Sequence, residues 1–509
     1  MSPQALKQEY AASIFTVSGV GTAYLIDSKN GYLVTASHVL DDVAKAKKPS
    51  QVWVAMPDSP KHKSFAFKVS KRNVDLDVAL LKIPDPVPLV IQQLRSLDIA
   101  SVVPDVDTTL FAMGYPIYGP QAEVFLRSGN ARFNSVTPGG MLEVEQLAEG
   151  GNSGGPLLDS SGYVIATCEQ ETEQNKIGRY LPMVQTLSLF EDMPVSDRML
   201  EIERALSGKT IDDGELKRVL AHSSTSPTNL ELYLWVKRVA ASPDLMALIR
   251  PRLKCPIIPA LSERGMLDAL YLFFPLAQTP EQAYMSAILG DREYRLGHDS
   301  TALEYAKSAV ALASPEQTET RLNALLLQGK SEERMNLVVE AKKSYSEGVR
   351  LASDRVADAS IEADARRSRV NLWARTVTAE ANVTAKMGDG TEAYTLFGQA
   401  ENLYQLNGDK RGQYDTRFDV ARLRLRSNDF VKAEQSLREA IEVAPDDALK
   451  ADAWYQLGVV QLQRGDEEGA IASFTRVASL APKTPQGTDA RHVIDLASAP
   501  KGIDAAQPN

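Results

Sequence analysis

The hydrophobic pattern changes period near residue 190, and that change limits the possible folds more than any other feature. Before it, short β-branched and aromatic runs recur between glycine and proline punctuation. Examples are Ile14 to Val17, Thr22 to Asp27, Gln51 to Met56, Phe65 to Ser70, Val78 to Ile83, Thr109 to Tyr115 and Val124 to Val136. Asn30-Gly31 sits between two such runs as a two-residue hairpin signal. Short strands at this spacing predict an all-β portion built as a pair of β-barrels. After residue 190, apolar residues recur every three or four positions across Ser196 to Leu206, Asp213 to Ala221, Asn229 to Ala241 and Ser262 to Pro275. That spacing predicts amphipathic helices.

The helical portion contains an internal repeat from about residue 283. Its clearest copy reads Trp454-x-x-Leu457-Gly458, then Ala470-x-x-x-Phe474, then Pro482, with Gln461 where an aromatic is usual. Other copies centre on Ala433, Leu437, Ala440 and Pro445; on Ala393, Phe397 and Ala400; on Ala341, Tyr345 and Gly348; and on Ala302, Ala306 and Ala309. Small residues let paired helices approach closely, and an aromatic fills the space between units. The pattern resembles the tetratricopeptide repeat, a helix–turn–helix unit of about 34 residues. That resemblance implies an α-solenoid with an extended surface for a protein or peptide. A generic helical bundle with alanine-rich faces is the alternative.

The most chemically pointed stretch is Glu149-Gly150-Gly151-Asn152-Ser153-Gly154-Gly155-Pro156. Glycines around a serine free the backbone to approach a substrate. The amides of Gly151 and Ser153 can then converge on a carbonyl oxygen as it becomes an anion. An ordinary glycine-rich turn would carry the same composition, so a base and its orienter are needed. Tyr32-Leu33-Val34-Thr35-Ala36-Ser37-His38 reads as a strand ending at a histidine, and Asp75 and Asp77 precede the apolar run Val78 to Ile83. The two acids, two residues apart, would share a strand face.

Thr-Ala-Ser-His, Asp-Val-Ala-Leu-Leu and Gly-Asn-Ser-Gly-Gly-Pro, in that order, resemble the three signatures of the trypsin-like, chymotrypsin-fold serine proteases. The resemblance covers about the first 190 residues. It implies a serine endopeptidase with Ser153 as nucleophile, His38 as general base and Asp77, at the family position, as the orienting acid. Within that group the chain is similar to HtrA-like proteases, through Phe111-Ala112-Met113-Gly114-Tyr115-Pro116 and Ser128-Gly129-Asn130-Ala131. A PDZ-type Gly-Leu-Gly-Phe loop is not found after Phe190. Asn152 stands where zymogens carry an acid, so no ion pair with a new N-terminus is expected there. The family geometry makes Leu147 and Ala148 walls of the primary specificity pocket, which suits a small or medium apolar side chain. It makes the strand through Cys168 and Glu169 a partner for substrate backbone. His62, His222, His298 and His492 read as surface or packing residues.

Composition narrows the setting. The chain has 509 residues and a formal net charge of −10, with 16 basic against 19 acidic residues in the first 190. Neither portion is a hidden basic module, so nucleic acid is not an expected partner. No window approaches the roughly 20 apolar residues of a membrane span. The start has no basic segment followed by an apolar core, and Cys168 and Cys255 are the only cysteines, with Val39 following His38. Secreted relatives carry a disulfide-forming cysteine there, so a cytoplasmic setting is expected. Neither a metal constellation nor a phosphate-binding loop is visible, and no cofactor is expected. The domains read as 1–190 protease, 191–282 helical connector, 283–497 repeats and 498–509 flexible tail. Two function classes follow: an endopeptidase whose repeats recruit a substrate or regulator, or a protein-binding scaffold with an inactive or conditionally activated protease fold.

Overall fold

The structure, a computed structural model, describes residues 5, 9–55, 62–104, 108–115, 127–137, 140–145, 152–172, 177–221, 226–356, 363–482 and 484–498. The chain forms two compact units, Met1–Tyr305 and Ala306–Asn509.

The first unit opens with strands β1 (Ile14–Val17), β2 (Gly21–Asp27), β3 (Tyr32–Ala36), β4 (Gln51–Ala55), β5 (His62–Ala66), β6 (Lys68–Asn73) and β7 (Val78–Lys82). They pair antiparallel in one curled sheet of order β5-β4-β1-β2-β3-β7-β6. A second set, β8 (Thr109–Gly114), β9 (Arg127–Val136), β10 (Leu142–Glu145), β11 (Pro156–Leu158), β12 (Val164–Thr172) and β13 (Ile177–Pro182), closes into a barrel. This is the double β-barrel architecture of the trypsin-like fold, as the strand pattern predicts. Each body has its own apolar core, Phe15, Leu25, Leu33 and Leu81 in the first, Leu110, Leu142, Leu157 and Ile165 in the second. A third core joins Tyr24, Val34, Phe111 and Leu158 to Phe190, Leu230 and Leu234 from the helical region.

Helix α1 (Ser37–Lys45) follows β3 directly, so His38 lies in its first turn and not at a strand end. Ser37 N–H extends the pairing of β3 with β7 by one more bond, to the Asp77 carbonyl at 3.0 Å, as the chain turns into α1. Past the strands come α2 (Asp197–Ser207), α3 (Asp213–Leu220), α4 (Asn229–Ala240), α5 (Pro243–Ile249), α6 (Leu267–Phe273) and α7 (Thr279–Arg295). Side chains of Ser196, Asp212, Thr228 and Ser242 cap the first four of these six. Each cap satisfies an amide left unpaired at a helix start. The single helix expected over Ser262 to Pro275 is broken: Gly265 takes a left-handed φ of +68°, separating a helix at Ile258–Glu263 from α6.

The second unit is a run of helices, α8 (Thr318–Arg334), α9 (Val338–Val356), α10 (Ala363–Lys386), α11 (Gly390–Asn407), α12 (Lys410–Arg426), α13 (Phe430–Val443), α14 (Asp447–Gln463), α15 (Glu467–Leu480) and α16 (Pro485–Ser498). Consecutive helices pack as pairs, and the signature residues Tyr345, Phe397, Leu437 and Phe474 are all buried. A Cβ at Gly458 would lie 2.9 Å from the Phe474 ring, so a small residue here is what lets helix meet aromatic. Four of the short turns use one device. Gly388, Gly408, Asn428 and Gly465 adopt positive φ, and Asp389, Asp409, Asp429 and Asp466 cap the next helix. A left-handed stop followed by an aspartate cap reverses the chain within a few residues. No helix among the described residues is long and apolar enough to cross a membrane.

Candidate active site

The histidine and acid are held by a double hook. Asp77 sits in the turn between β6 and β7 with φ of +50°, a left-handed conformation that aspartate tolerates better than most residues. From there its Oδ1 accepts the His38 backbone N–H at 2.7 Å, and its Oδ2 lies 2.6 Å from His38 Nδ1. An ionised carboxylate accepts, so Nδ1 carries the proton and Nε2 is left as the basic nitrogen. Asp75 occupies the same turn but is exposed, and no strand face aligns it with Asp77. The hydrogen bond from His38 to Asp77 raises the histidine pKa above its ordinary value. Burial opposes this, while the charges of Asp77, Asp42 and Glu169 reinforce it.

Arg72, which sequence reasoning passed over, fixes the start of α1. Its Nε donates to Ser37 Oγ at 2.6 Å, and its Nη2 donates to the Ser37 carbonyl at 3.1 Å and to Asp41 Oδ2 at 2.7 Å.

The serine comes from the other β-body. Ser153 lies in the turn before β11, and the Ser153 carbonyl accepts the Thr22 N–H of β2 at 2.9 Å. Gly154 N–H donates to the Cys168 carbonyl at 2.8 Å, and Cys168 N–H donates to the Gly155 carbonyl at 2.8 Å. Gly154 has φ of +85°. A Cβ on it would lie 2.6 Å from the Ala36 nitrogen and 2.5 Å from Thr35 Oγ1, and closer still to the Thr22 oxygen. Only glycine brings the serine turn this close to the end of β3, two residues before His38. Tyr24 Oη and Thr167 Oγ1, 2.7 Å apart, tie β2 to β12 beneath the turn.

The sequence-derived substrate residues divide. Gly151, Leu147, Ala148 and His222 lie outside the described residues. The Cys168 side chain is 1% exposed in the barrel core. Its amide donates to the Gly155 carbonyl and its carbonyl accepts the Gly154 N–H, so its backbone holds the serine turn. Glu169 is half-buried at a register shift between Cys168 and Gln170. Burial raises its pKa, as does the Asp77 charge, with Arg179 and His38 opposing. Glu169 is thus a third carboxylate, after Asp77 and Asp42, in the electrostatic field of His38. His298 is held by Glu293 at 2.8 Å and His492 is exposed.

With this geometry in hand, residues 21–166 match the trypsin-like peptidase domain family and residues 451–484 match the tetratricopeptide repeat. The chain therefore carries a trypsin-like peptidase domain toward its N-terminal end and a tetratricopeptide repeat near its C-terminal end. The magnetosome formation protease MamE of Paramagnetospirillum magneticum is 25% identical over 150 residues, 30% of this chain and 20% of that protein. MamE of Magnetospirillum gryphiswaldense is 24% identical over 165 residues, 32% of this chain and 20% of that protein. The chain thus spans about a fifth of the length of the curated relatives it matches. Among solved structures, the MamO protease domain from Magnetospirillum magneticum is 19% identical, with a TM-score of 0.29 over 36% of this chain and 98% of that one. The serine endoprotease from Yersinia pestis is 20% identical, with a TM-score of 0.30 over 38% of this chain and 69% of that one.

Proposed function

We propose that the chain is a serine endopeptidase acting through Ser153, His38 and Asp77. The observation that carries this reading is the double hook of Asp77 on His38, together with a serine turn bonded to β2 and wedged against the end of β3, two residues before His38. Ser153 Oγ attacks the scissile carbonyl while His38 Nε2 takes its proton, and the acyl-enzyme forms as the amine leaves with that proton. Asp77 holds the tautomer and stabilises the imidazolium. The amides of Gly151 and Ser153 receive the oxyanion. Water then attacks the ester by the same route in reverse. Small or medium apolar side chains are the preferred residues before the cut, and the repeats recruit a protein substrate or regulator. A cytoplasmic setting suits a chain with two cysteines, one of them, Cys168, buried in the barrel core.

A fluorophosphonate probe tests the reading, because it reacts with an activated serine alone. The parent protein should be labelled at one site, and Ser153→Ala and His38→Ala should each abolish labelling with the fold retained. Labelling that persists in Ser153→Ala refutes the assignment.

A further inference from the structure

The segment between the two β-bodies, residues 96–103, touches both strands that position Ser153. Leu97 N–H donates to the Leu25 carbonyl on β2 at 2.8 Å. Val164 N–H, at the start of β12, donates to the Asp98 carbonyl at 2.8 Å, and Ala100 N–H donates to the Val164 carbonyl at 2.9 Å. Ile99 thereby adds to β12 as a parallel bridge. β2 and β12 also hold the serine turn, through Thr22 and Cys168. The two strands are therefore tied at two levels, by the turn and, a few residues away along each, by this linker.

The helices grip the linker from its other side. Asn229, the first residue of α4, donates its backbone N–H to Asp98 Oδ1 at 2.6 Å. Its Nδ2 donates to the Ile99 carbonyl at 2.5 Å and the Arg264 carbonyl at 3.0 Å. Arg264 Nε donates to Asn229 Oδ1 at 2.6 Å, and its Nη2 lies 3.6 Å from Asp98 Oδ2. Its remaining bonds reach the carbonyls of Leu220 and Pro227 at 3.1 and 2.6 Å. Ser101 N–H and Oγ both donate to the Gly265 carbonyl, at 2.9 and 3.1 Å, and Ser101 Oγ accepts Leu267 N–H at 3.1 Å. Asn229 is 1% exposed and Arg264 3% exposed. A buried, fully bonded polar network fixes one geometry, because any displacement leaves a charged or polar group unsatisfied.

We propose that Ser101, Asn229 and Arg264 are positioning residues for the serine turn. The helices around them, α3, α4 and α6, clamp the linker and so set the spacing of β2 and β12 at the level of Ser153. The helical region is then a working part of the peptidase and not a spacer before the repeats. This rests on the reading of Ser153 as nucleophile, while the mechanical coupling from joint to turn can be read without any cleavage.

The test uses the full chain and two readouts. The first is hydrogen exchange at the Thr22, Gly154 and Cys168 amides, which bond the serine turn to its two strands. The second is kcat and KM on a short unstructured peptide. Ser101→Ala and Asn229→Ala should each speed exchange at these amides about tenfold. Each should lower kcat about tenfold with KM within about twofold. Ser101→Thr, which keeps the hydroxyl, should restore both. Met246→Ala deletes a buried side chain of α5 that is outside the joint. It should lower the melting temperature at least as much as Ser101→Ala while leaving both readouts at the parent value. Unchanged exchange in the two joint variants overturns the proposal, and so does an equal change in Met246→Ala. A parent protein that cleaves nothing would refute the endopeptidase reading alone, with exchange still deciding the coupling.

Discussion

Replacing Gly154 by alanine perturbs the site at the point where the two β-bodies meet. Two costs add. At φ of +85° an L-residue is strained, by about 1–2 kcal/mol. The new methyl would also stand 2.6 Å from the Ala36 nitrogen and 2.5 Å from Thr35 Oγ1. Two of its three nearest atoms are backbone, in β2 and at the end of β3, and backbone cannot rotate away. Overpacking of this kind adds about 1–3 kcal/mol. Gly154→Ala should therefore destabilise the first unit by about 2–5 kcal/mol and push Ser153 away from α1. A displacement near 1 Å at reacting atoms costs about 10²-fold in rate. Gly19→Ala is the control within the same unit. Gly19 has φ of +67°, but its nearest neighbour to a new Cβ is Lys48 Nζ at 3.7 Å, so only the backbone cost of about 1–2 kcal/mol applies. Thermal unfolding and the rate of fluorophosphonate labelling would be measured for both variants below their melting temperatures. Labelling of Gly154→Ala within about threefold of the Gly19→Ala rate would refute the reasoning, since about 10²-fold is expected.

Asp77→Asn should slow peptide hydrolysis about 10⁴-fold by favouring the wrong tautomer, whereas Asp75→Asn, at an exposed position in the same turn, should change it little. His38 has a raised pKa, and the base works only when neutral, so activity should fall as pH drops through that raised value. Glu169→Gln removes one of the charges raising it, so the acid limb of a kcat/KM profile should move to lower pH. An unmoved or upward-shifted limb would remove Glu169 from the field of the pair. Burial pushes the Asp98 carboxyl up to about 6, with the Asn229 amide and Arg264 opposing. The folded state thus holds this proton more tightly than the unfolded chain. Asp98 should therefore contribute a loss of stability as pH rises from about 4 to about 6, of order 3 kcal/mol when complete. Asp98→Asn should remove that slope from denaturant titrations run across the window, and a slope equal to that of the parent would contradict it.

The parts of the fold that were legible in the sequence are those encoded by period. Alternation and punctuation mark the strands, and small-residue spacing marks Ala393, Phe397 and Ala400 as one buried helix face. The Asp caps and their preceding glycines were equally visible as Gly-Asp pairs at residues 388–389, 408–409 and 465–466, a signal of the turns as strong as the packing signature. The helix break at Gly265 was not readable, because its cause is distant. Gly265 accepts bonds from Ser101, 164 residues earlier, and Cβ on it would meet Val102 at 2.6 Å. The site divides the same way. Residue types and order mark His38, Asp77 and Ser153 as candidates. What brings their elements together is Thr22 N–H, the Gly154 φ and the Cys168 backbone: the glycine is visible in the sequence, but the strands it lets the turn approach are not. Where substrate backbone would lie along β12 is equally unreadable, because a strand next to a site has two edges and two faces, and only the pairing partners say which are taken.

The same distinction explains how the histidine is held without a covalent link. Related secreted proteases place a cysteine after the histidine, and a disulfide there is worth about 2–4 kcal/mol. Here Val39 is 1% exposed, directly over Gly21, where a Cβ would stand 2.5 Å from its methyl. Steric fit fixes that side of α1. On the other side Arg72 makes three bonds to Ser37 and Asp41, one of them an ion pair at 2.7 Å. Hydrogen bonds to a charged group contribute about 1.5–3 kcal/mol each when buried. The Arg72 side chain is 30% exposed, so the ion pair to Asp41 is worth less than that range. The bond to Ser37 Oγ, on a residue 1% exposed, retains more of it. Packing and Arg72 together approach what a cross-link would give. They do so with groups that need no oxidant, and the orientation of His38 is therefore independent of the redox state of its surroundings.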